Sequence, residues 1–250
     1  MDVPVLERPV DIPRVVLLHT WTVERLGDPH PVLGSLGLYV PQDNRAELTR
    51  RCLRLLAELG LATDEVLAPR FRDTLLTLAE PGRELYCWSS FADPAHDRAC
   101  LVAEREGEAV ALSVHEDTVT LRPIDPRHLV EEFVTTLPQT PPAPVRPLTV
   151  PRVDVENPDD HDMGHTDPLA EPGAADELRT QLSAPRDAAH QLYGAVTYDG
   201  ARRRSKPLTA IDVSGLGRIL VFLDAEDRVH RLPGTPGALV DTLRATWKGL

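Results

Sequence analysis

Shifted by 110 positions, residues 107–133 of this chain meet a second copy of themselves. Gly107 falls on Gly217, Glu116-Asp117 on Glu226-Asp227, Val119 on Val229, Pro123 on Pro233, Pro126 on Pro236 and Leu129-Val130 on Leu239-Val240. That makes eight identities without a gap, where ordinary residue frequencies give about two. A unit built twice must bury its apolar face twice, against its own helices and against its copy.

The pattern around the repeat reads helix, antiparallel strands, helix in each copy. In the first copy, the apolar run at residues 15–19 predicts a buried strand and residues 20–26 a short helix. Asn44 with Glu47 three positions on forms a capping-box-like start for a helix that Gly60 stops. A second helix is predicted over 64–78. Strands follow at 84–91, 98–104, 109–114 and 118–122, then a helix over 125–137 whose apolar face is Leu129, Val130, Phe133, Val134 and Leu137. In the second copy a helix is predicted over 174–182, strands at 190–198, 208–213, 218–223 and 228–232, and a closing helix over 235–247. Residues 138–172 are rich in Pro and Asp with no strand or helix period, which reads as an exposed linker. The predicted organisation is therefore a first half at 1–137, a linker at 138–172 and a second half at 173–250, forming one domain. The fold class is α+β: short turns make consecutive strands antiparallel, helices flank the sheet, and the strand edges of the copies can join into one larger pseudo-twofold sheet.

Charge excludes several functions. With 27 basic and 39 acidic residues the net charge is −12, unsuited to neutralising phosphates or docking on anionic lipid. The basic run Arg202, Arg203, Arg204 and Lys206 is the local exception, read as a solvated hairpin loop or an anion site. The first residues carry no basic segment leading into an apolar one, so no signal peptide is expected, and no run is long enough to cross a bilayer. Three cysteines (Cys52, Cys87 and Cys100) are too few for a disulfide framework and lack zinc-site spacing. A reducing cytosol is the expected compartment. Lysine is scarce beside arginine, and Ala, Leu and Pro abound, as in GC-rich actinobacterial genomes.

No reacting constellation stands out. There is no nucleophile elbow and no P-loop, and Ser214-Gly215-Leu216-Gly217 reads as a turn. His161 and His165 have chelating spacing, but Gly164 between them and Pro158 and Pro168 nearby disfavour a rigid helix. A metal-dependent hydrolase built on that loop is one alternative function, and an edge-to-edge homodimer is another. Glu116-Asp117 and Glu226-Asp227 recur at equivalent turns, where local hydrogen bonding favours Asp. Cys87, Trp88 and Cys100 lie on neighbouring strands, with His96 in the turn between; packing is the simpler reading than a Cys/His nucleophile. Trp21 and Trp247 are candidate interface anchors.

The tandem pattern resembles the EspG family of type VII (ESX) secretion chaperones. The residues that carry the resemblance are Leu182-Ser183-Ala184-Pro185-Arg186, Gln191-Leu192-Tyr193-Gly194, the stretch from Arg202 to Thr209, Gly217-Arg218-Ile219-Leu220-Val221 and the closing amphipathic helix. In the first copy, Val119-Thr120-Leu121-Arg122-Pro123-Ile124 and the opening stretch from Val15 fit the same template. The resemblance implies a cytosolic, non-enzymatic protein without cofactor or metal. It would hold PE–PPE-like heterodimers or related helical substrates soluble by gripping the tip of their bundle. It implies a binding surface made of the sheet, the loop at 93–97 and the C-terminal helices. The candidate contact residues are Trp88, Phe91, Asp93, His96, Leu239, Leu243 and Trp247, with core packing the alternative role for the two leucines.

Overall fold

The computed structural model of the chain describes residues 6, 8–34, 42–63, 65–156 and 173–250. In order, its strands and helices are β1 (Val10–Pro13), α1 (Arg14–Val23), α2 (Gln42–Glu58), α3 (Pro69–Ala79), β2 (Arg83–Phe91), β3 (Arg98–Arg105), β4 (Glu108–His115), β5 (Thr118–Pro123), α4 (Leu129–Thr135), β6 (Leu148–Pro151), α5 (Arg152–Glu156), α6 (Ala174–Ser183), β7 (Arg186–Tyr198), β8 (Ala201–Arg204), β9 (Leu208–Val213), β10 (Gly217–Leu223), β11 (Arg228–Pro233) and α7 (Pro236–Lys248). His161 and His165 lie outside the described residues.

Strand order across the sheet is β1-β5-β4-β3-β2-β7-β9-β10-β11-β6, with β8 paired to the far end of β7. The order is a palindrome once β2 is matched to β7, β3 to β9, β4 to β10, β5 to β11 and β1 to β6. The two copies thus join edge to edge through β2 and β7, from Arg83↔Val196 to Phe91↔Ala188. Stepping inward by register from Pro123 meets Val110, Ala103 and Glu84. The same walk from Pro233 meets Ile219, Ile211 and Ala189. The second path is longer by one, one and three residues at successive steps, so β4 matches β10 at a shift of 109, the Gly107–Gly217 identity does not join equivalent positions, and the gapless match holds from Asp117 onward.

The walk also locates the counterpart of β1. Pro13 pairs with Thr118, and Pro151 of β6 pairs with Arg228, at equivalent positions. The Arg14 N–H donates to Asp117 O (2.7 Å), and the Arg152 N–H to Asp227 O (3.0 Å). Residues 148–156, expected as part of a featureless linker, are therefore a strand and a helical turn matching β1 and the start of α1. Four-residue edge strands are too short to show a period, and only pairing with β5 and β11 defines them.

The predicted strand at 15–19 is instead the body of α1. Val16, Leu17, Thr20 and Trp21 are buried and Val15 is exposed; a short apolar run does not distinguish a strand from a buried helix. Trp21 is not an interface anchor: it is buried, and its Nε1 donates to Gly27 O at 3.1 Å. The helix expected from 64 begins at Pro69, with Pro at its first turn. Of the basic run, Arg202, Arg203 and Arg204 belong to strand β8 rather than to a loop, and Lys206 follows it.

Two cores sit on opposite faces of the sheet. On one face, α1, α2 and α3 cover the first half through Leu17, Trp21, Leu56, Phe71, Leu75 and Leu78, which meet Ile12, Leu101, Leu112 and Leu121 of the strands. On the other face, α4 and α7 lie together over the centre and bury Leu129, Phe133, Leu239 and Leu243 against Leu85, Cys87, Val102, Leu192 and Leu220. The sequence-predicted faces of these two helices agree with this packing. Gly217 closes the β9–β10 turn at φ +106°, and a Cβ there would lie 2.6 Å from Pro141 O. Gly217→Ala is accordingly expected to cost about 1–2 kcal/mol from the backbone angle alone, read as a lowered denaturant midpoint with an unchanged m-value.

Candidate functional site

Strand alternation places Glu84, Tyr86, Trp88 and Ser90 of β2 on one face of the sheet and Leu85, Cys87, Ser89 and Phe91 on the other. The second set lies under α4 and α7 or in the buried network below. In the first set Glu84 and Tyr86 are buried, whereas Trp88 and Ser90 face a gap. Ser90 and Gln191 are exposed, and Trp88, Ala189, Tyr193, Thr209 and Val221 are half-exposed, although they belong to interior strands of the sheet. A central strand shows a side chain to water only where no helix lies over it. This face is therefore open between the α1–α3 layer and α6, whose Leu178 is buried over the second half.

The floor of the gap is aromatic. Tyr86 and Tyr193 are register partners and stack at 5.2 Å with 12° between their planes. Trp88 stands edge-on to both, at 5.4 and 5.7 Å. The walk across the sheet makes Trp88 and Tyr193 equivalent residues of the two halves, so the pseudo-twofold passes through this cluster. From β8, Arg202 reaches over Tyr86 at 5.6 Å and Arg204 over Tyr193 at 5.3 Å, cation–π contacts that hold two charges at the rim. Arg202 is neutralised by Glu84 (Nε to Oε1, 2.6 Å); Arg204 pairs with no carboxylate among the described residues.

Beneath the rim, Glu84 and His30 are buried. Oε2 of Glu84 lies 3.5 Å from Nε2 of His30, and neither atom has a hydrogen bond. The Val32 N–H donates to His30 Nδ1 at 3.2 Å, which leaves the ring proton of the neutral imidazole on Nε2. Burial, with Arg202 acting the same way, pushes His30 down to about 4. Burial raises Glu84, against the pull of Arg202. His30 is thus an uncharged wall beside Tyr86, edge-on at 4.8 Å.

The residues expected to grip a partner do not converge on one site. Trp88 is on the open face. Phe91, Asp93 and His96 are at the β2–β3 hairpin. There the Phe91 N–H donates to Asp97 Oδ1 at 2.8 Å, and Asp93 Oδ1 accepts from the Ala95 N–H at 3.0 Å. Phe91 points to the opposite face, under Arg98 at 4.9 Å and edge-on to His190 at 5.9 Å, while Asp93 and His96 are exposed. Leu239 and Leu243 are buried under α7 and hold it to the sheet, so they present nothing to a partner. Trp247 is half-buried at the other end of the molecule's α4–α7 face, seated on Gly194, where a Cβ would come within 3.0 Å of its ring. Tyr86, Gln191, Tyr193 and Arg204 were not selected from the sequence as contact residues. The two-residue period of β2 and β7 carries the signal, but which face stays open is invisible in it.

A buried polar network props up the hairpin. His190 Nδ1 lies 2.8 Å from Ser89 Oγ and its Nε2 3.3 Å from Asp212 Oδ2. Arg218 donates to both oxygens of Asp212 (2.6 and 2.8 Å), and the Thr140 hydroxyl adds a third bond at 2.8 Å. Ser89, His190 and Asp212 have the atom types of a hydrolytic triad. However, His190 is fully buried and Asp212 is committed to Arg218 and Thr140, so the arrangement ties β2, β7, β9 and β10 together. Burial acts to raise Asp212, but bonds from His190 and Arg218 hold it well below the usual carboxylate range. Among the described residues no cluster of three or more His, Cys, Asp or Glu could hold a metal, and no helix is long and apolar enough to cross a membrane.

A family model described as the EspG family matches residues 15–245. The fold matches the solved structure of the Mycobacterium tuberculosis type VII secretion system chaperone EspG5 in complex with a PE25–PPE41 dimer. The TM-score is 0.71 at 18% identity, over 95% of this chain and 96% of that one. No curated protein matches the sequence.

Proposed function

This chain belongs to the EspG family, and on that premise we propose that it is a cytosolic type VII secretion chaperone. It binds a PE–PPE-like pair or a related helical substrate and keeps it soluble, and it catalyses nothing. The observation that supports the reading is the half-exposed aromatic pair of Trp88 and Tyr193, backed by the buried Tyr86, in the middle of an otherwise covered sheet. An aromatic patch with cations at its rim suits an apolar helical tip flanked by acceptor or acidic groups. Aromatic anchors supply most of the affinity in such interfaces. Co-expression with each PE–PPE-like pair encoded beside its own gene is expected to yield a soluble ternary complex on size exclusion. Aggregation of every pair, with the chain eluting alone, would overturn the assignment.

A further inference from the structure

Cys87 and Cys100 face each other directly across β2 and β3. Their Sγ atoms are 3.0 Å apart and unbonded. Directly opposed residues of an antiparallel pair have Cα atoms about 4.5 or 5.5 Å apart, inside the range a disulfide bridges without backbone movement. The pair lies on the face away from Trp88. Both residues line a cleft of about 410 Å³ whose walls include Arg98, Ser113, His115, Arg122 and Thr136. The two residues are nearly covered, at 1% and 5% exposure, so only a small reagent reaches them. Cys100 also lies 3.0 Å from the Thr136 hydroxyl.

We propose that Cys87 and Cys100 are a dithiol modification site that closes to an intrachain disulfide when a hydroperoxide enters this cleft. The Cys100 thiolate attacks one peroxide oxygen and the O–O bond breaks, giving the sulfenic acid and, after proton pick-up, one water. Cys87 sulfur then attacks the sulfenic sulfur, the S–O bond breaks and a second water leaves. Two thiols are oxidised by two electrons and one hydrogen peroxide is reduced to two waters. Cys100 is the better first thiolate. Arg98 lines the same cleft and its charge favours a thiolate at Cys100, whereas Cys87 lies deeper, at 1% exposure against 5%. Cys52, buried in the core on the opposite face, serves as an internal reference.

The test uses the full chain, exposed to hydrogen peroxide while native, then denatured, alkylated and weighed intact. Two of the three alkylation sites are expected to be lost, leaving one alkyl group and a mass two hydrogens below that of the singly alkylated dithiol, with a peptide linking β2 to β3; dithiothreitol is expected to restore all three. In Cys100→Ser, Cys87 is expected to remain alkylatable after the same exposure. Three alkyl groups on the treated wild type, disulfide-linked dimers in place of the intrachain link, or equal loss of Cys87 in the variant would overturn the proposal.

Discussion

Replacing Arg218 with alanine is expected to destabilise the fold by about 3–5 kcal/mol, the usual cost of stranding one member of a buried ion pair. Arg218 and Asp212 are each 4% exposed, and the guanidinium fork meets both carboxylate oxygens. Its Nη2 also donates to Thr140 Oγ1 at 3.2 Å. Without it, Asp212 keeps a full charge in a site closed to water, with only Thr140 and His190 as partners. Arg218→Lys is expected to recover a minor part, because a point charge cannot serve both oxygens. The space left by the side chain would not be silent either. Gly234 packs so tightly on the aliphatic stem that a Cβ there would lie 2.2 Å from Arg218 Cγ. Guanidinium denaturation of the variant checks the magnitude; a loss below about 1 kcal/mol would place the pair in the class of solvated surface bridges. The same pair sets a pH dependence. The folded-state pKa of Asp212 is depressed, so its stabilisation is complete above the unfolded value of about 3.9. It is lost as pH falls below that value toward the folded one. Asp212→Asn is expected to flatten the acid limb of the stability curve in that window.

Trp88→Ala is expected to weaken substrate binding by about 30-fold or more, since truncating a central aromatic anchor costs about 2–4 kcal/mol and each 1.4 kcal/mol is tenfold. The substitution also removes edge contacts to Tyr86 and Tyr193, worth about 0.5–1.5 kcal/mol each, so some stability is lost with it. Gln191→Glu separates the two effects. Gln191 is the register partner of Trp88 and is exposed, so its substitution should change stability by no more than about 0.5 kcal/mol. It nonetheless sets a charge in the middle of the aromatic floor. Both variants should lose the ternary complex in a titration with a purified substrate pair, while Val66→Ser, on an exposed turn between α2 and α3, should not. Full binding by Gln191→Glu would move the docking surface off this face, toward the hairpin of Phe91, Asp93 and His96 or toward Trp247.

Much of the architecture was legible because it is local or repeated. The strands from β2 to β5 and from β9 to β11, and the helices α4 and α7, follow from period and turn residues that neighbours in sequence supply. The identities between Pro123, Pro126 and Leu129 and their counterparts 110 residues on required two copies of one unit. What failed was whatever depends on a distant partner. The edge strands β1 and β6 exist because β5 and β11 offer unpaired backbone groups. The run at 15–19 became a helix because its burial is decided by the sheet it lands on. Leu239 and Trp88 both read as plausible anchors, yet one holds α7 to the sheet and the other faces an uncovered gap.

The order of amino acids therefore determined by itself the duplication, the antiparallel α+β class and the alternation that puts Tyr86, Trp88 and Tyr193 on one side of their strands. Only the tertiary structure decided that Trp88 and Tyr193 on this side stay partly bare while Tyr86 is covered, that the two halves meet at β2 and β7, and that Ser89, His190, Asp212 and Arg218 close into one network. The reason is physical. Periodicity reports which residues share a face, whereas burial is set by what else in the molecule is packed against it.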